Sequence, residues 1–123
     1  QQDILVLGAI PIEDLDLVIH YDITLSLFSK EYMAEIQKLY HHHKPVKVHI
    51  KIDTGMNRIG LKSKAEFEGI LACCQNSMFQ VDGVFTHFAT ADDEMQNDAY
   101  EQQIQMFYDI IGQHSFRYIH CQN

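Results

Sequence analysis

The chain has 123 residues, 46% of them hydrophobic, and a formal charge of −8 at neutral pH, which suits one domain with a buried core. The acidic balance argues against a nucleic-acid or anionic-membrane surface, and no apolar run approaches the roughly 20 residues of a membrane span. No signal peptide is visible, and three cysteines, two of them adjacent, make no disulfide framework, which points to a reduced, cytoplasmic setting.

Ile4-Leu5-Val6-Leu7, closed by Gly8, reads as a buried parallel strand. Pro11 to His20 predicts a short helix with Leu15, Val18 and Ile19 inward and Pro11 near its start. Ile23 to Phe28 is a second strand. Ser29 caps the next helix, Tyr32, Ile36, Leu39 and Tyr40 form its apolar face, and Lys44-Pro45 stops it. From Val46 to Asp53 apolar and polar residues alternate strictly: Val46, Val48, Ile50 and Ile52 share one face, Lys47, His49, Lys51 and Asp53 the other. Asp53-Thr54-Gly55 ends that strand. Ser63 is the next N-cap, with Glu66 placed as in a capping box, and Phe67, Ile70, Leu71 and Cys74 fall on one helical face that ends near Gln75-Asn76-Ser77. Val81 to Phe88 is a fourth strand. A long helix from about Asp98 to Ile111 presents Tyr100, Ile104, Phe107 and Ile111, and Phe116 to Cys121 is a last short strand.

Strand and helix alternate without a hairpin signal, which predicts a parallel α/β sheet. In such sheets the loops at the carboxyl ends of the strands carry the chemistry, and here the loop after the third strand holds Met56, Asn57 and Arg58. Parallel strands buried on both sides are apolar on both faces. The Lys47-His49-Lys51-Asp53 face breaks that rule, so it lines either a functional interior or the wet side of an edge strand.

The run Lys51-Ile52-Asp53-Thr54-Gly55-Met56-Asn57-Arg58-Ile59-Gly60 resembles the KxDTGMxRxG signature of the alanine racemase family. Thr86-His87-Phe88-Ala89-Thr90-Ala91-Asp92 resembles the family's HFATAD segment, and His120-Cys121-Gln122-Asn123 the start of its HxxNS run. Order and spacing agree across nearly the whole chain. The resemblance implies a pyridoxal phosphate (PLP) enzyme on a (β/α)8 barrel, a fold that typically needs roughly 250 residues. The chain begins at Gln1 without Met and stops inside a family motif. The expectation is therefore a partial barrel domain over residues 1–123, about strands three to seven of eight. The first strands, the last strand and a C-terminal β-domain would then lie elsewhere. The implied parent is a dimeric cytoplasmic isomerase that interconverts L- and D-alanine, or serine, and so supplies D-alanine as a peptidoglycan precursor.

Arg58 is the first candidate site residue. Its guanidinium is a planar fork that matches a carboxylate, and the resemblance implies that it binds the substrate amino acid's carboxylate; without the motif it would read as a solvated surface charge. For Lys51 the resemblance implies a carbamylated lysine, an anion that holds Arg58 where an unmodified lysine would repel it. The alternative is a snorkelling lysine neutralised by Asp53. His87 is placed by the resemblance in the polar layer beneath the cofactor ring, and Asn123 beside a phosphate-binding serine. No catalytic acid or base is expected in these residues. The family's cofactor-linked lysine and the tyrosine from the partner subunit's C-terminal domain match no position here, and Tyr100, Tyr108 and Tyr118 sit in the wrong segments to replace them.

Other clusters read as structural. His41-His42-His43 ends a helix, where imidazoles suit the negative end of the dipole. Asp92-Asp93-Glu94 leads into a helix start, no metal site is expected, and neither Cys73 nor Cys74 has a local base. Asn57 stands where many family members have Gly, a change the loop tolerates. Two alternatives come from other classes: a PLP-carrier or regulatory protein on the same barrel, and a metal-dependent barrel hydrolase using His87, His120, Asp53 and a carbamylated lysine.

Overall fold

The computed structural model describes residues 4–7, 10–40, 44–53, 61, 63–75, 78–87 and 97–122. Within them five strands alternate with helices: β1 (Leu5–Val6), a 3-10 turn (Ile12–Asp14), α1 (Leu15–His20), β2 (Thr24–Leu27), α2 (Lys30–Leu39), β3 (Val46–Ile52), α3 (Lys64–Cys74), β4 (Phe79–His87), α4 (Asn97–Ile111) and β5 (Tyr118–Gln122). The strands lie side by side in chain order and every neighbouring pair is parallel. A doubly wound sheet would reverse its order at a switch point; a sheet wound in one direction is the wall of a barrel. The chain is thus a five-stranded arc of a TIM-type barrel.

The alternation of β3 decides which way the arc faces. Val46, Val48, Ile50 and Ile52 are buried in one core with Leu15 and Val18 of α1, Met33 and Ile36 of α2, Phe67 and Ile70 of α3, and Phe107 and Ile110 of α4. All four helices therefore cover one side. Each fully buried Val, Ile or Phe contributes about 1.5–3 kcal/mol relative to exposure. The other side carries Lys47, His49, Lys51 and Asp53, the interior face that the sequence left open between two readings.

Local signals set the helix starts. The Ser29 hydroxyl accepts from the Tyr32 N–H (3.1 Å), and the Ser63 hydroxyl accepts from the Glu66 N–H (3.2 Å). The Ser63 hydroxyl also lies 3.5 Å from the Glu66 carboxylate, a loose version of the expected box. α2 ends at Leu39, ahead of Lys44-Pro45; the His41–His43 and Asp92–Glu94 readings lie outside the described residues. β4 begins at Phe79, two residues earlier than its apolar run suggests, because Phe79 pairs with Val46 at the start of β3. β5 is shifted to Tyr118–Gln122 by its register on Gly83–His87.

Two expectations are corrected. The Ile4–Leu7 run is not fully buried: Leu5 and Val6 of β1 are partly buried and the flanking Ile4 and Leu7 are 53% and 44% exposed, since among the described residues only β2 pairs with β1. On α4, Ile104 is exposed while Gln103, Phe107, Ile110 and Ile111 are buried, so the inward stripe is rotated toward Gln103. Among the described residues, β1 and β5 each leave one edge unpaired, and Tyr118 and Ile119 are exposed on β5. Unpaired edges template further pairing. The 123-residue chain should therefore self-associate, with sedimentation coefficients that rise with concentration; a monomer at every concentration would count against an arc with open edges.

Candidate active site

The carboxyl ends of β3, β4 and β5 form one rim. Lys51 sits opposite Phe85, Ile52 opposite Thr86, Phe85 opposite His120, and His87 opposite Gln122. Lys51, on the inner face, is partly buried, and its Nζ lies over the Phe85 ring at 6.0 Å from the centroid. Asp53 follows β3 and is buried. The Leu61 N–H donates to the Lys51 carbonyl (2.9 Å), and the Asp53 N–H donates to the Leu61 carbonyl (2.8 Å), so Leu61 bridges to Ile52 beside the strand. Both ends of the segment that carries Arg58 are therefore tied to the carboxyl end of β3. Residues 54–60, Arg58 among them, lie outside the described residues, as does Asn123, which directly follows β5. His87 closes β4 as expected, with its backbone described and its side chain not.

Deeper in the interior the structure assembles a group that sequence reasoning did not connect. His49 Nδ1 and His120 Nε2 are 3.0 Å apart and share a hydrogen bond between β3 and β5. The His120 ring stacks on Phe85, with centroids 4.9 Å apart and planes 6° from parallel. Tyr118 stacks on His49 at 5.6 Å. The rings meet because β4 carries Gly83 between them: a Cβ there would lie 3.1 Å from His49 Cε1 and 2.7 Å from the Tyr118 carbonyl oxygen. The available signal was the glycine itself, since a glycine inside an apolar strand marks a close approach. One register shift accompanies it, at Val48/His49 against Val81/Gly83, which leaves Asp82 as the bulged residue.

A hollow of about 310 Å³ opens at the opposite, amino end of the strands, lined by Lys47, His49, Asp82, Arg117 and Tyr118 among others. Lys47 is held there by Asp22 (2.8 Å), which also pairs with Lys44 at 3.2 Å. Hydrogen bonds from Lys47 and then Lys44 lower the Asp22 pKa. This end lies away from the rim, and the volume reflects the open inner face of the arc; the barrel's chemistry belongs to the other end.

Titration adds two constraints. Burial pushes the Cys74 thiol up to about 11, which keeps it protonated at neutral pH. Burial holds the His120 imidazole below its ordinary value. A histidine depressed in the fold binds fewer protons there than in the unfolded chain. Its stabilising effect is therefore complete above about pH 6.5 and is lost as pH falls toward the lowered folded value. Urea midpoints should be lower at pH 5.5 than at pH 7.5, and His120→Gln should shrink the difference. Equal differences in both proteins would remove His120 as its source.

Comparison with known proteins agrees with this geometry. The family profile described as alanine racemase, N-terminal domain, matches residues 1–123. The alanine racemase of Streptococcus pyogenes serotype M6 is 38% identical over 124 aligned positions, which cover 99% of this chain and 34% of that protein. The crystal structure of alanine racemase from E. faecalis superposes with a TM-score of 0.86 at 32% identity, over 98% of this chain and 34% of that one. A histidine racemase from Leuconostoc mesenteroides superposes at 0.85 with 27% identity, over 98% of this chain and 33% of that one. The chain thus spans about a third of the length of the curated relatives it matches. Matched along its whole length, with a one-way parallel arc and a motif-bearing segment fastened to the carboxyl rim, the chain belongs to the alanine racemase family.

Proposed function

We propose that the chain is the central part, about strands three to seven of eight, of a PLP-dependent racemase whose parent interconverts L- and D-alanine. The observation that carries this reading is the fastening of the Arg58 segment at Asp53 and Leu61, beside the end of β4 at His87. Sequence identity alone would leave the motif unplaced. The two ties at its ends, both at the carboxyl end of β3, support the reading that it serves the rim where a barrel binds its substrate.

The rim also suits the cofactor. His87 and Gln122 are register partners at the ends of β4 and β5, and Asn123 is the next residue in the sequence, which supports a role for this end of the sheet in holding a pyridine ring and a phosphate. In this reading His87 and Asn123 help to hold PLP, which when bound supplies an electron sink for the charge left at Cα. Arg58 grips the substrate carboxylate with both arms of its fork. Lys51, as a carbamate, holds Arg58 by charge-assisted hydrogen bonds. The groups that remove and return the Cα proton lie outside residues 1–123, as do the remaining strands and a C-terminal β-domain, and the working protein is a cytoplasmic homodimer. This family reading sets aside the metal-dependent hydrolase.

Substrate preference has a second candidate, because the chain superposes on a histidine racemase nearly as well as on an alanine racemase. The test uses the whole protein loaded with PLP and follows exchange of the Cα proton for deuterium in alanine, serine and histidine. Fastest exchange with alanine is expected. Faster exchange with serine or histidine reassigns the substrate, and bound PLP with no exchange in any of the three identifies a carrier or regulatory protein.

A further inference from the structure

We propose that Phe85 is a positioning residue: it walls Lys51 off from His120 and so leaves Lys51 to hold Arg58. The inference deepens the racemase reading and rests on it for the partnership of Lys51 with Arg58. The wall itself rests on the sheet alone. Lys51, Phe85 and His120 are register partners on β3, β4 and β5, so the three side chains share the inner face at one level. Phe85 stands on the strand between the other two, and its ring is 1% exposed. The His120 ring lies nearly parallel to it at 4.9 Å, and Lys51 Nζ lies 6.0 Å from its centroid.

The same three strands show what happens where the wall is missing. One level nearer the amino end, β4 carries Gly83 between His49 and Tyr118. There a side chain of β3 does reach β5: His49 brings Nδ1 within 3.0 Å of His120 Nε2. The crossing uses the space above the glycine, since a Cβ at Gly83 would lie 3.1 Å from His49 Cε1. Two residues on, Phe85 fills the corresponding space at the level of Lys51. Among the described residues, Lys51 has that ring as its neighbour and makes no hydrogen bond or ion pair through Nζ.

Without the ring, Lys51 would have a second partner. His120 uses Nε2 toward His49, which leaves its Nδ1 for another group. A carbamate accepts from an imidazole N–H, and an unmodified ammonium donates to an imidazole nitrogen. Either form of Lys51 therefore finds a partner at the histidine pair, and a lysine held there is lost to Arg58. A phenyl ring offers no strong donor or acceptor, so it blocks the path without competing for the head group. Phe85 thus acts through Lys51 and does not touch the substrate.

The test has two arms. In the full chain, nuclear Overhauser effects between the Lys51 ε-methylene protons and the His120 ring protons should be absent in wild type and in Phe85→Leu, which keeps an apolar barrier. They should appear in Phe85→Ala. Should that variant lose its native spectrum, Phe85→Val opens the same path with a residue suited to a strand. Such effects in the wild type, or none in a natively folded Phe85→Ala or Phe85→Val, would overturn the proposal. In the whole protein loaded with PLP, Phe85→Ala should raise KM for alanine and lower kcat toward the values of Lys51→Ala and not beyond them. The double variant should match Lys51→Ala alone, because a residue that acts only through another adds nothing once that one is gone. Losses that multiply, or wild-type kinetics in Phe85→Ala, would leave Phe85 a packing residue only and overturn its positioning role. A wild-type protein that racemises nothing fails the racemase reading and with it the tie to Arg58, whereas the first arm judges the wall by itself.

Discussion

In the whole protein, Arg58→Lys should raise KM for alanine by roughly tenfold or more and also lower kcat. The substitution keeps the charge and removes the fork. A charge-assisted bidentate hydrogen bond lost on one side costs on the order of 1.5–3 kcal/mol, and each 1.4 kcal/mol is a factor of ten. If the arginine only gathers substrate, KM alone changes. A fall in kcat as well means that the carboxylate also fixes the direction of the Cα–H bond against the cofactor. The fastening of the segment at Lys51, Asp53 and Leu61 favours the second outcome, because a guanidinium on a tethered loop can orient as well as attract. Lys51→Ala should reproduce part of the defect, and added bicarbonate should leave that variant unchanged while short carboxylates partly restore it. Wild-type kcat and KM in Arg58→Lys, at full PLP occupancy measured by absorbance, would remove Arg58 from the site.

Local signals in the sequence are enough for most of the fold. The alternation of Val46 to Asp53, the caps at Ser29 and Ser63, and the apolar face of Phe67, Ile70 and Cys74 each depend on residues a few positions apart. Burial of whole elements does not. Ile4 to Leu7 has the composition of a central strand, yet it lies at the edge of the arc, and Ile104 sits just outside the stripe that Gln103 and Ile110 share. The site divides in the same way. Motif residues can be numbered from the chain, and the positions of Lys51 and His87 at strand ends follow from period and length. The His49–His120 contact spans 71 residues. It exists only because two registers and one bulge bring β3 and β5 level across Gly83, and no local pattern encodes a sum of three such offsets.

That glycine supplies the sharpest test of the interior. Gly83→Ala should destabilise the chain by about 1–3 kcal/mol, the usual cost of overpacking a tight interior. The added Cβ would stand 2.7 Å from the Tyr118 carbonyl oxygen and 2.9 Å from Tyr118 Cβ. Neither is the free end of a flexible side chain, so β5 itself must move away from β4. The displacement would pull His120 from His49, and β5 amides should exchange faster with deuterium than those of β2. Gly69→Ala is the matched control, since it adds the same methyl group to the middle of α3. There the new Cβ meets only the end of the Lys30 side chain, at 3.4 Å, and a helix gains roughly 0.5–1 kcal/mol when alanine replaces an interior glycine. One substitution should lower the urea midpoint and the other raise it. Equal midpoints for Gly83→Ala and wild type would mean that β4 and β5 are not in contact at Gly83 and Tyr118, and the histidine pair would lose its geometric basis.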